Sequence, residues 1–215
     1  MLPLIGTERP NAPIFWPFSH AVNFNMARHH ILPYNTLRDL WNQLAQTFAD
    51  TNWPESRLAI RHFLMLCNHK LLDLDPMLEA LRRNNLTVVQ CNVLEETAVW
   101  AAWNIVDGPK NRSDDPGDSG LDRFTFGVTQ EEFGRMGIIE GVYSTMDQFQ
   151  RVVRPQPVHL RVLAEALNLA RFSLNSVEQP IPFRPGMWER DPDGRWRKRR
   201  SGEQFLTATS QSSTS

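Results

Sequence analysis

Val158–Leu174, VHLRVLAEALNLARFSL, is the stretch whose pattern speaks most clearly for the fold of this chain. Its apolar side chains recur every three or four residues, at Leu160, Leu163, Leu167, Ala170 and Leu174. That spacing collects them on one face of a helix and leaves the charged residues on the other. The stretch therefore predicts an amphipathic helix that covers a core.

Several further stretches predict helices, and two of them have identifiable start signals. Thr36–Phe48, TLRDLWNQLAQTF, has one apolar stripe, and Asn35 or Thr36 is its expected N-cap. Thr129 and Glu132 have the spacing of a capping box, and the helix that they start is expected to end near Gly134 or Gly137. We therefore predict a mainly all-α fold, a helical bundle with little or no β-structure.

The predicted domain organisation is a helical core with an arm at each end. Residues 1–35 are rich in proline and aromatics and predict an extended N-terminal arm. Residues 36–175 form the core, in which Asp107-Gly108-Pro109 ends a helix and residues 107–122 form an acidic loop. Residues 176–215 predict an extended tail, first rich in proline, then basic, then rich in serine and threonine.

Composition narrows the class of protein. The chain has 215 residues, a formal net charge of −1 and two cysteines, too few for a disulfide framework. The first residues lack the pattern of a signal peptide, and no apolar run approaches the ~20 residues of a membrane span. We expect an intracellular protein, cytoplasmic or nuclear and not secreted, without a membrane partner.

The tail carries the strongest local charge pattern. Residues 184–200 contain seven basic and three acidic residues. Guanidinium groups pair with phosphates, and a tryptophan offers a plane on which a base can stack. We therefore predict nucleic-acid binding by Arg184, Arg190, Arg195, Trp196, Arg197, Lys198, Arg199 and Arg200. A secondary basic set consists of Arg57, Arg61, Arg82 and Arg83.

Signatures of catalytic and metal sites are missing from the sequence. It has no phosphate-binding glycine loop and no H-E-x-x-H or G-x-S-x-G motif. A thiol–imidazole set of His62, Cys67, His69 and Cys91 lacks the spacing of zinc sites. We predict no catalytic residue, no metal and no cofactor. His29 and His30 adjoin in the N-terminal arm, where they are expected to be exposed.

Three functions fit this layout. A proline-rich arm, a helical core and a basic tail together resemble the layout of coat or nucleocapsid proteins of RNA viruses with helical particles. This resemblance implies a self-assembling structural protein that binds itself and nucleic acid, with RNA favoured. The first alternative is a helical adaptor or regulator whose basic tail is a nuclear address and whose N-terminal arm contacts a protein partner. The second is an enzyme with a non-local site near His62, His69 and the acidic loop.

Overall fold

The computed structural model describes residues 26–68, 74–83, 85–87, 90 and 99–200, and within them the fold is mainly helical. Helices make up 57% of the structure, which confirms the predicted class. The five helices are α1 (Tyr34–Thr51), α2 (Pro54–Asn68), α3 (Leu74–Arg82), α4 (Gln130–Gln150) and α5 (Pro157–Leu174). Short 3₁₀ turns lie at Ala102–Asn104, Gly117–Ser119 and Pro185–Met187. The N-terminal arm lies outside the described residues as far as Asn25.

Helix α1 buries the stripe that its sequence predicts, including Leu37, Leu40 and Leu44. Its start differs from the prediction, because the capping position is Pro33 and no side chain caps it. Proline has no N–H group and a fixed φ, so it suits the residues around a helix start. The helix ends at Asn52, which adopts a left-handed conformation with φ of 51°.

Helix α4 begins as predicted and ends much later than predicted. The Thr129 hydroxyl accepts a hydrogen bond from the Glu132 backbone N–H, and the Glu132 carboxylate accepts one from the Thr129 N–H, which confirms the capping box. The predicted end near Gly134 or Gly137 is wrong, since the helix continues to Gln150. Burial on the inner face offsets the roughly 1 kcal/mol that each glycine costs in a helix interior.

Helix α5 confirms its predicted extent and buries the predicted face against α2 and α4. The His62 imidazole on α2 donates a hydrogen bond from Nδ1 to the Ala164 carbonyl on α5 at 2.8 Å. None of the helices in the described ranges is both long enough and apolar enough to cross a membrane.

Four short strands add two antiparallel pairs to the helices. β1 (Met26–His30) pairs with β2 (Ile105–Pro109), and β3 (Trp188–Arg190) pairs with β4 (Trp196–Lys198). Asp107-Gly108-Pro109 therefore belongs to a strand, and its prediction as a helix stop is wrong. The extended tail is not confirmed over residues 185–198, where β3 and β4 form a hairpin around Gly194, which has φ of 77°. Glycine adopts this conformation without steric cost.

Asn104 joins the strand pair to the start of α1. Its side-chain Oδ1 accepts a hydrogen bond from the Leu32 N–H at 2.6 Å, and its Nδ2 donates one to the Leu32 carbonyl at 3.1 Å. Both residues are fully buried. The amide therefore satisfies two backbone groups that have no access to water.

We predict that Asn104→Ala lowers the free energy of unfolding by about 2–4 kcal/mol, because it leaves a buried donor and a buried acceptor without partners. Urea denaturation measures this loss. Gln148→Ala, at an exposed position of α4, is the control and is expected to change the free energy by less than about 0.5 kcal/mol. Equal stability of the two variants would contradict the prediction.

Candidate functional site

A polar cavity lies between β1 and the loop that follows β2. Its volume is about 400 Å³. The walls are mostly charged or polar, formed by Ala27, Arg28, His29, His30, Lys110, Asn111, Asp115, Gly117, Asp118 and Asp122. Several of these residue types transfer protons or bind anions, so the cavity is the candidate functional site.

His29 is the titratable group whose geometry is best defined in this cavity. Its side chain is buried, and its Nε2 lies 3.0 Å from the Pro109 carbonyl oxygen. A carbonyl can only accept a hydrogen bond, so Nε2 carries a proton and Nδ1 holds the lone pair of the neutral ring. Nδ1 lies 3.5 Å from Oδ2 of Asp115. Sequence analysis placed His29 in an exposed arm, and this expectation is wrong.

Gly108 makes this position of the His29 ring possible. A Cβ atom at residue 108 would lie 2.8 Å from Cδ2 of His29 and 2.5 Å from Cζ2 of Trp188. Both distances are shorter than real Cβ contacts, so any larger residue would displace the two rings. The glycine on β2 thus lets the imidazole of β1 and the indole of β3 approach the same stretch of backbone.

Behind His29, Arg112 and Asp122 form a buried ion pair. Arg112 Nη1 and Nη2 donate hydrogen bonds to the two carboxylate oxygens of Asp122, at 2.6 and 2.9 Å. The arginine side chain is 0% exposed and that of the aspartate 1%. The guanidinium carbon lies 4.9 Å from the ring centre of Trp188 and 5.6 Å from that of Phe124. The aromatic rings keep water from the pair and add cation–π attraction.

The C-terminal hairpin is tied to this ion pair through Lys198. Its ammonium group contacts Asp122, and its backbone N–H donates to Oδ2 of Asp114 at 3.0 Å. Asp114 also accepts a hydrogen bond from Nε of Arg112 at 3.1 Å. One network of charge-assisted hydrogen bonds therefore joins the acidic loop to β4.

Burial and the charges of this network shift the pKa values of His29, Arg112 and Asp114. Burial, followed by the positive charge of Arg112, lowers the pKa of His29 and keeps its imidazole neutral at pH 7. Burial opposes the charge of Arg112, but hydrogen bonds to Asp122 and Asp114 raise the pKa of its guanidinium. Burial likewise opposes ionisation of Asp114, yet hydrogen bonds from Arg112 and the Lys198 N–H lower the pKa of Asp114.

Lys110 and Asn111 form the rim of the cavity, and both are exposed. Lys110 makes no ion pair within the described part of the chain, in contrast to Arg28, which lies 3.7 Å from Asp107. Asn111 adopts a left-handed conformation with φ of 57°. Non-glycine residues held in this region are concentrated at functional sites, and asparagine tolerates it best. The rim thus combines a cation with an amide side chain, both exposed.

The predicted nucleic-acid-binding residues lie mostly against carboxylates of the protein itself. Arg184 forms two hydrogen bonds with Glu132, Arg195 lies near Asp191 and Asp193, and Arg197 contacts Glu189. The guanidinium carbon of Arg190 lies 4.0 Å from the ring centre of Trp196, the predicted stacking plane. The Arg199 N–H donates to the Met187 carbonyl, and Arg200 is exposed.

The secondary basic set is paired in the same way. Arg57 and Arg61 lie 3.8 and 2.9 Å from Asp75, and Arg82 and Arg83 both contact Glu79. The structure thus brings neither basic set into the cavity, with the exception of Lys198, which reaches its Asp122 wall.

Of the predicted enzyme site, the acidic loop supplies cavity walls from Lys110 to Asp122, whereas the predicted histidines and cysteines lie apart from the cavity or outside the described residues. His62 faces α5, and Cys67 is buried in the core, where burial raises the pKa of its thiol. His69 and Cys91 fall outside the described residues. Within those residues, no group of three or more metal-ligating side chains is placed to hold an ion.

Comparison of the chain with known protein families, with curated proteins and with solved structures finds no match. The function of the cavity must therefore be argued from its own geometry.

Sequence reasoning missed His29 because its partners lie about 80 residues further along the chain. Two signals in the sequence point to it afterwards. One is the glycine between Asp107 and Pro109, because a glycine within a strand often marks a position where another group approaches the backbone closely. The other is the density of polar loop residues that follow this glycine.

We predict that Arg112→Met lowers the free energy of unfolding by about 3–5 kcal/mol, because it leaves the buried Asp122 carboxylate without its main partner. The control is Arg123→Met, which removes an exposed ion pair with Glu140 and is expected to cost less than about 1 kcal/mol. Denaturant titration of both variants measures the difference. Equal losses would show that the buried pair contributes no more than a surface pair.

Proposed function

We propose that the protein is an enzyme that cleaves phosphodiester bonds of nucleic acid, with His29 as its general base. The observation that carries the proposal is the hydrogen bond from His29 Nε2 to the Pro109 carbonyl, which fixes the tautomer of a histidine that lines the polar cavity. A base needs a fixed tautomer, an unprotonated state at working pH and access to substrate. His29 has the first two by its contacts and the third by its position.

The proton transfer follows from the neighbours of Nδ1. A hydroxyl group in the cavity, from water or from a ribose 2′-OH, donates its proton to Nδ1 while its oxygen attacks phosphorus. The phosphorus–oxygen bond to the leaving group breaks, the leaving oxygen takes up a proton from solvent water, and His29 returns its proton to solvent. The Asp115 carboxylate, 3.5 Å from Nδ1, stabilises the positive imidazolium that forms. Asp115 is thus a charge-stabilising residue, which acts only after Nδ1 has taken up the proton.

The rim offers two groups that can stabilise a reacting phosphate. Transfer at phosphorus develops negative charge on the non-bridging oxygens, and cations and amide donors stabilise that charge. Lys110 supplies an ammonium group that no described carboxylate engages, and Asn111 supplies an amide. Nucleic acid, the partner predicted from the sequence, is a polymer that presents phosphate groups of this kind.

We expect His29→Gln to slow cleavage about 100- to 10,000-fold, because removal of a general base costs that much. The measurement follows an end-labelled single-stranded RNA and the DNA of the same sequence. Cleavage of RNA alone identifies the 2′-OH as nucleophile, whereas cleavage of both identifies water. His62→Gln, which changes a histidine on α2 outside the cavity, is the matched control. Intact RNA and DNA with the unmodified protein would overturn the proposal, as would equal rates for the two variants.

The pH dependence of cleavage provides a separate prediction. Burial and Arg112 lower the pKa of His29 from its ordinary value of 6.5. Only the neutral ring accepts a proton, so activity is lost as pH falls through that lowered pKa. The acid limb of kcat/KM, which reports the free enzyme, should therefore have its midpoint below pH 6.5. A midpoint above 6.5 would contradict the assignment of His29.

The coat-like function, a self-assembling protein that packages RNA, is our second candidate. It is favoured by the apolar side chains that α5 exposes, such as Leu169 and Phe172. The pairing of its predicted RNA-binding residues with internal carboxylates weighs against it. Binding of the RNA without cleavage, with ordered particles in electron micrographs, would favour this candidate. The adaptor function stays a prediction without a specific observation to support it.

A further inference from the structure

Helix α5 has a second apolar face, opposite to the one that it buries. Val158, Val162, Leu169 and Phe172 are 59%, 54%, 71% and 69% exposed. Together with the exposed Glu165, they are spaced by alternating steps of four and three residues. This is the spacing of a seam between two helices. We call these five residues the outer stripe.

Three charged side chains of α5 lie within or beside the outer stripe. Glu165 is the acidic group near its middle, Arg161 lies one turn before Glu165, and the guanidinium carbon of Arg171 lies 4.3 Å from the ring centre of Phe172. Arg161 reaches Glu55 at 3.2 Å, but its side chain is 62% exposed, so this pair is solvated and weak. A cation and an anion one turn apart on a single helix are complementary to the same two charges on a helix that runs the opposite way.

We propose that the outer stripe binds the outer stripe of a second copy of the protein, with the two α5 helices antiparallel. The register follows from two pairs. Arg161 of one copy faces Glu165 of the other, and Val158 of one copy faces Leu169 of the other. The first pair has its midpoint at residue 163, and the second has its midpoint halfway between residues 163 and 164. The two midpoints therefore differ by about 0.75 Å along the helix axis, at 1.5 Å per residue. One two-fold axis therefore serves both, as a self-complementary interface requires.

The length of the stripe sets the expected strength of this dimer. In this register the two helices overlap from Val158 to Leu169, about 16.5 Å, and Phe172 lies beyond the overlap. This length is short for an obligate interface. We expect a dissociation constant of about 1–100 µM, with monomer and dimer in exchange. Its formation does not depend on the proposed cleavage activity.

Sedimentation velocity of the full chain, after nuclease treatment, tests the proposal at concentrations up to about 100 µM. The wild type should change from monomer to dimer, and Leu169→Asp should weaken dimerisation about 100-fold, because the symmetric interface contains the buried charge twice. Phe133→Asp, at an exposed apolar position of α4, is the control and should dimerise normally. A monomer throughout, or equal weakening by both variants, would overturn the proposal.

Charge exchange tests the register without changing an apolar contact. Arg161→Glu alone and Glu165→Arg alone should each weaken the dimer about tenfold, since each places like charges opposite one another twice. The double variant restores opposite charges and should recover most of the affinity. Circular dichroism confirms that each variant is folded. Failure of the double variant to recover affinity in folded protein would rule out this antiparallel register.

Discussion

The bidentate ion pair between Arg112 and Asp122 is the interaction on which the other features of the site depend. Neither side chain reaches water, so each charge requires the other. The pair also anchors three separate segments of the chain. The Asp122 N–H donates to the Ile31 carbonyl after β1, Arg112 lies against Trp188 of β3, and Lys198 of β4 reaches the same carboxylate. Ion pairs and aromatic packing thus hold together a small non-helical unit within a mainly helical protein.

The same ion pair forms part of the electrostatic surroundings of His29. The positive charge of Arg112 adds to burial in lowering the pKa of His29, whereas the Asp122 carboxylate acts in the opposite direction. Gly108 adds the steric condition, since only a residue without Cβ lets His29 and Trp188 share this space. Substitutions at Arg112 or Gly108 should therefore change the surroundings of the His29 imidazole, although neither residue carries the Nδ1 lone pair.

Local signals predicted the helices well, and non-local contacts escaped prediction. The capping box of α4 and the buried face of α5 depend on residues within a few turns, and both are confirmed. The cavity depends on contacts between β1 and residues about 80 positions later, which no local period encodes. Asp107-Gly108-Pro109 shows why the local sequence is ambiguous. The same three residues can end a helix or can lie in a strand whose backbone another side chain approaches closely. Likewise, a run of arginines indicates phosphate binding only when carboxylates such as Glu189 are not paired with it.

Two surfaces of the molecule, the cavity rim and the outer stripe of α5, differ in charge pairing and in apolar exposure. Most described cations of the tail and of helices α2 and α3 face carboxylates, so they contribute little long-range field. Lys110 at the cavity rim is an exception, since it forms no ion pair with a carboxylate of the described residues. The outer stripe of α5 shares no residue with the cavity walls. Because additivity holds for sites without shared partners, a stripe variant that abolishes association should leave the chemistry at His29 unchanged, and a His29 variant should leave association unchanged. The proposed self-association and the proposed cleavage are thus separable by substitution within one chain.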